Sequence, residues 1–173
     1  MQRHSADLSK RLAHYGITEA VQKDVHISKP VTWNDDNCPF YVKAISTGDL
    51  DELKRLIGRD DSTLANEEPS SAHKSLASLA TLPDDSVFEA ASAYIFGNSA
   101  SLKHHKAAIE KKLGVRTVNV AAANDLVISS VITYDSGSPA VINANSITFM
   151  PGGQIVCLGS LSVTANSIIN QTA

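Results

Sequence analysis

The sequence predicts an α+β protein, with a helical unit over residues 1–115 followed by a small β-repeat unit over 116–173. Three observations carry this reading. Composition changes near residue 115: most charges lie before it, and beyond Arg116 only Asp125 and Asp135 remain among Val, Ile, Ser, Thr, Asn and Gly. Before the change, apolar residues recur at helical spacing. After it, an apolar–polar–apolar triplet recurs every 14 to 15 residues, at Val118-Asn119-Val120, Ile132-Thr133-Tyr134, Ile147-Thr148-Phe149 and Leu161-Ser162-Val163. Paired aliphatics interleave with it at Val127-Ile128, Val141-Ile142, Ile155-Val156 and Ile168-Ile169.

The helical elements follow in order. Residues 5–15 place Leu8, Leu12 and Tyr15 on one face, with Gly16 as a stop. Residues 26–40 contain Pro30, Asn34-Asp35-Asp36 and Pro39 and read as an irregular connector that Trp33 and Phe40 pin to the helices by burial. Asp49 and Glu52 have capping-box spacing ahead of the stripe Leu50, Leu53, Leu56 and Ile57, and Gly58 follows where a C-terminal cap belongs. Residues 59–71 read as a polar loop and 70–80 as a helix rich in Ser, Ala and Leu. Two further helices form a hairpin over 84–113. The first turns Val87, Phe88, Ala91, Tyr94 and Ile95 inward and stops at Gly97; the second, capped by Asn98-Ser99 or Ser101, turns Leu102, His105, Ile109 and Leu113 inward and ends at Gly114. The segment Ala44–Ile57 resembles one helix pair of an ankyrin repeat. No second copy follows at the period of about 33 residues that such a stack requires.

Two topologies satisfy the repeat. In a parallel β-solenoid of about four coils, each period is one coil and like residues stack at the interstrand distance of about 4.8 Å. In an antiparallel β-meander or sandwich, the turns Asp135-Ser136-Gly137-Ser138-Pro139 and Pro151-Gly152-Gly153 close hairpins. The solenoid explains why the same triplet recurs. It places Ile132, Ile147 and Leu161 in one row, Tyr134, Phe149 and Val163 beside it, and Asn119, Thr133, Thr148 and Ser162 in a polar row on the opposite side. The last strand then exposes an unpaired edge, which is a reason to expect self-association.

The 173 residues suffice for one core or two small ones. A net charge of -3 argues against nucleic acid as the main partner. The densest basic group, Lys103, Lys106, Lys111, Lys112 and Arg116, reads as the solvated face of a helix. No stretch approaches the ~18 apolar residues of a membrane helix, and the first residues lack the apolar run of a signal peptide. The expected location is therefore cytoplasmic, or outside the cell by a non-classical route. Cys38 and Cys157 read as two unrelated thiols.

Chemistry is sparse, and no cofactor or metal is expected. His104-His105 are adjacent, diverge by about 100° on a helix and lack the i, i+4 spacing of a metal pair. Asn34-Asp35-Asp36-Asn37 lacks the ligand order of a calcium loop and reads as an Asx-rich turn. Arg59-Asp60-Asp61 reads as a helix exit with solvated charges. No phosphate-binding loop or nucleophile elbow is present, and Asp125 and Asp135 are too poorly placed for a glycosidase pair. Asn119, Thr133, Thr148 and Ser162 are the best-motivated binding residues, suited to a glycan. The leading expectation is a non-enzymatic binding or assembly module. It presents that surface or a free β-edge to a glycan, a protein or another copy, with homo-oligomerisation or a protein partner at the last strand. The alternatives are a toxin-like or pore-forming effector, which alone implies membrane contact, and an enzyme built at the helix/β junction from His105, Tyr94 or Asp125.

Overall fold

A computed structural model of the chain describes residues 3–17, 23–33, 38–67 and 84–171. They form a mixed α/β fold with parallel sheets and divide into two compact units, one of residues 1–45 with 118–173, the other of residues 46–117. The division near residue 117 coincides with the change in composition. Residues 1–45 group with the β-repeat, and the stretch read as helical contains three strands, β1 (Val25–Ile27), β2 (Val31–Thr32) and β3 (Tyr41–Thr47).

The first unit opens with helix α1 (Arg3–Ala13), whose Leu8 and Leu12 are buried as its spacing predicts. The repeat supplies β4 (Arg116–Ile128), β5 (Val131–Tyr134), β6 (Ala140–Phe149), β7 (Gln154–Cys157) and β8 (Leu161–Asn170). One sheet runs β1-β4-β6-β8, with β3 also paired to β4; the other runs β2-β5-β7. The pairs β1–β4, β2–β5, β4–β6, β5–β7 and β6–β8 are all parallel, so these strands do not form the antiparallel meander. The turns at 135–139 and 150–153 are not hairpins, because each carries the chain from one sheet to the other.

Register corrects the period. Asn119 lies opposite Ala140 and Ala140 opposite Leu161, steps of 21 residues. In the second sheet Val131 lies opposite Gln154, a step of 23. The extra two residues sit in the turn 150–153, which is longer than 129–130; the connection 158–160 is two shorter than 135–139 and restores the phase. Short apolar segments centre near residues 120, 127, 133, 141, 148, 156, 162 and 169, about seven apart, and every third shares a column. Reading every second one produces the apparent period of 14. Ile132, Ile147 and Leu161 therefore occupy three columns rather than one row: Ile132 with Val31 and Ile155, Ile147 with Leu126 and Ile168, Leu161 with Ala140. Tyr134, Phe149 and Val163 separate in the same way, opposite Cys157, Ile128 and Ile142.

The upstream strands join the same columns. Val25 pairs with Leu126 and Val31 with Ile132, both 101 residues on. The connector read as irregular thus carries two strands, and Trp33 and Phe40 are buried in the β core rather than against helices. Trp33 packs edge-on against Phe40 at 5.5 Å and Tyr134 at 5.1 Å, an aromatic arrangement worth roughly 0.5–1.5 kcal/mol per pair beyond its burial. Cys38 and Cys157 both pack against this core and are not joined in a disulfide.

The second unit holds α2 (Leu50–Leu56), α3 (Asp84–Phe96), a 3-10 turn (Ala100–His105) and α4 (Lys106–Leu113). Asp49 caps α2 by accepting from the Asp51 and Glu52 amides. The return half of the capping box runs through Thr47, whose hydroxyl accepts from the Asp49 amide and donates to Glu52. Leu50, Leu53, Leu56 and Ile57 are buried as predicted, and Gly58 takes the left-handed conformation (φ 71°) that ends the helix. The ankyrin likeness fails at its first half, where Tyr41–Thr47 is a strand. In α3, Val87, Ala91, Tyr94 and Ile95 are buried, but Phe88 is exposed. Asn98 accepts from the Ala100 amide at the start of the following turn. Residues 34–37 and the helix expected at 70–80 lie outside the described residues.

Candidate assembly face

The four residues singled out for binding do not meet in a row. Asn119 shares a column with Ala140 and Leu161, Thr133 with Thr32 and Val156, Thr148 with Val127 and Ile169, and Ser162 with Val141. Asn119 is also out of phase with the others. Its column partner Ala140 belongs to the core, and its amide donates to the hydroxyl of the buried Tyr134 at 2.9 Å. Each of the four is half-buried. The regular polar array that would suit a glycan is absent among them.

A different polar array is present partway along the long strands, between the paired positions 123/144/165 and 125/146/167. Asn124, Asn145 and Asn166 are spaced by 21 residues within Ala123-Asn124-Asp125-Leu126, Ala144-Asn145-Ser146-Ile147 and Ala165-Asn166-Ser167-Ile168. The Asn166 amide donates to Asn145 at 3.0 Å, and Asn145 to the Asp125 carboxylate at 3.4 Å. Ser146 donates to the same Asp125 oxygen at 2.6 Å, and Asn124 donates to Asp24 at 2.7 Å. Arg11 on α1 donates to Asn166 Oδ1 and to the Ala144 carbonyl, both at 2.7 Å, and so ties the helix across two successive strands. The repeated Ala-Asn-Ser-Ile tetrad is the signal that reveals this ladder and its period.

The last strand is where the pattern is left incomplete. Ile142, Ala144 and Ile147 on β6 are at most 1 % exposed; their column mates Val163 and Ile168 on β8 are 37 % and 57 % exposed. The difference has one cause: β8 pairs with β6 on one side and, among the described residues, with no strand on the other. Natural sheet edges are blocked by Lys, Pro, bulges or covering segments. β8 carries no Lys and no Pro, and residues 136–173 contain no charged side chain at all. Covering Val163 and Ile168 completely is worth on the order of 1–2 kcal/mol each.

The strongest electrostatics lie in the second unit. Lys54, 1 % exposed, donates to Asp61 at 2.5 Å and to the Gly97 carbonyl at 2.7 Å. Lys103 bridges Asp51 at 2.8 Å and Asp61 at 3.0 Å, above the Tyr94 ring. Lys106 reaches Asp49, Asp51 and Glu110. Two members of the basic group thus hold ion pairs rather than a free solvated face, and Asp61 anchors Ser99 as well as Lys54 rather than standing at a solvated helix exit. Burial works against ionisation of Asp51 and Asp61, but hydrogen bonds from Lys103, Lys106 and Tyr94 to the first, and from Lys54, Ser99 and Lys103 to the second, outweigh it and hold both well below the usual carboxylate range. Burial raises Tyr94, and donation of its hydroxyl to Asp51 at 2.7 Å raises it further. Burial disfavours the Lys103 cation, yet its carboxylate partners push it well above the ordinary lysine value. Lys103 and Lys106 are matched to carboxylates and held protonated, which is the opposite of an activated base or nucleophile.

Tyr94 and Asp125, named for a junction enzyme, belong to these separate networks. The His104 and His105 rings lie against each other, tilted by 46° with centroids 3.8 Å apart. Among the described residues no three His, Cys, Asp or Glu side chains gather at metal-binding separation, and no helix is long and apolar enough to cross a membrane. No protein-family model matches the chain, and neither the curated proteins nor the solved structures contain a match.

Proposed function

We propose that residues 1–45 and 118–173 are coils of a parallel β-solenoid, and that the protein is an assembly module whose last strand, β8, accepts a β-strand from a protein partner. The solenoid reading is supported by agreement between the sheets: one offset of 101 residues places both β1 on β4 and β2 on β5. The assembly reading rests on a single observation, the uncovering of core-column residues Val163 and Ile168 on a strand that has no charged side chain of its own and, among the described residues, no strand paired to its outer edge. Strand addition pairs backbone along the outer edge of β8 and covers these side chains together.

The test is direct. A labelled peptide of residues 161–170 carries the sequence that β8 itself stacks on β6. It is expected to bind the full chain in fluorescence anisotropy, and Ile168→Lys in the protein is expected to weaken binding at least about tenfold. A peptide that fails to bind, or binds both proteins equally, contradicts the proposal.

A further inference from the structure

We infer that the occupant of the β8 edge is a second copy of this chain, its β8 antiparallel to the first across a two-fold axis perpendicular to the sheet. This rests on the strand-addition reading above and names the partner. Three features select it. Closed dimers use the same patch on both subunits, so the patch must tolerate itself. β8 does, because residues 136–173 carry no charge while the chain's net charge of -3 arises wholly before them. Two β8 strands meet without like-charge repulsion between their own side chains, and Arg11, the cation bonded to β8, is held by Asn166 and the Ala144 carbonyl. The strand also already pairs with close copies of its own sequence: Ala165 lies opposite Ala144 and Ile168 opposite Ile147, parallel pairings that show these side chains accept one another. Finally, a two-fold perpendicular to the sheet keeps both inner faces on the same side. Val163 and Ile168, 37 % and 57 % exposed, then meet the partner's inner residues and the apolar interior runs through the junction. A two-fold along the strands would instead set inner residues of one copy against outer residues of the other.

Sedimentation equilibrium of the full chain, with spin-label distances, tests this. The mass is expected to rise with concentration from 18.4 kDa toward twice that value. Val163→Lys and Ile168→Lys are each expected to raise the dissociation constant at least about tenfold. Val115→Lys, on an exposed residue of the other unit, is expected to leave it unchanged. Labels at Ser162 and Gln171 lie about 30 Å apart along the strand. Mixing copies labelled at one end with copies labelled at the other is expected to give a short distance, and like-labelled mixtures long ones. Short like-to-like distances overturn the antiparallel arrangement, and a dimer indifferent to both lysine variants overturns the interface. A chain that stays monomeric while still binding the 161–170 peptide overturns the second-copy inference alone. A monomeric chain that ignores the peptide overturns the strand-addition reading with it.

Discussion

Gly153 sits where the turn between β6 and β7 passes the end of β4, and a Cβ there would lie 1.9 Å from the Ile128 carbonyl oxygen. No rotation relieves that clash, because the opposing atom is backbone. Gly153→Ala is therefore expected to destabilise the protein by about 1–3 kcal/mol, as overpacking does. Gly137→Ala, with nothing within 4 Å of the added carbon, is expected to stay within about 0.5 kcal/mol of the parent. Urea unfolding of the two variants side by side checks the difference. Gly153 was legible in the sequence as a turn residue, but its steric role was not, because that role depends on which carbonyl the stacking places beneath it. The same holds for Asn124, Asn145 and Asn166. Their spacing of 21 is written in the sequence, yet the triplets, which fall on every second segment, draw attention to hydroxyl and amide residues that occupy four different columns.

At the scale of elements, the helical unit depends on its ion-pair cluster. The native carboxyl groups of Asp51 and Asp61 are held below their unfolded values, through hydrogen bonds that outweigh burial. Folding thus gains stability that is fully present above the unfolded carboxylate value near pH 4 and is lost progressively as pH falls below it. Lys103 is raised by its carboxylate partners against the cost of burial, and Lys106 chiefly by its bond to Asp51. Their contribution is complete below the unfolded lysine value near pH 10.4 and declines as pH rises through the higher native ones. Helical circular dichroism during a pH titration at moderate urea should show loss below about pH 4, and Asp51→Asn combined with Asp61→Asn should flatten that acid limb. A limb unchanged by the double substitution contradicts the role given to the cluster. The helices themselves were readable, because caps and apolar stripes act within a few residues: Asp49, Leu53 and Gly58 all do what their spacing implies. The strands β1, β2 and β3 were not, since a run as short as Val31–Thr32 becomes a strand only through a partner 101 residues away.

At the scale of the molecule, the helical unit interrupts a β-repeat. Residues 46–117 leave after β3 and return at β4, and the two crossing points are adjacent: the hydroxyls of Ser46 and Thr117 are 3.0 Å apart. A unit whose ends meet can be replaced by a short loop at little entropic cost. Exchanging 46–117 for a brief Gly/Ser linker is expected to leave residues 1–45 and 118–173 folding cooperatively, with Trp33 still buried by its fluorescence. An exposed Trp33 would show that the β-unit needs the insertion. The most direct test of the central claim, that β8 is an open strand edge, is hydrogen exchange at the β8 amides with and without the 161–170 peptide. The expected result is slowed exchange at alternate residues of β8, where outward amides gain partners, with β4 and β6 unchanged. Uniform exchange in β8 that the peptide leaves unaltered would contradict it.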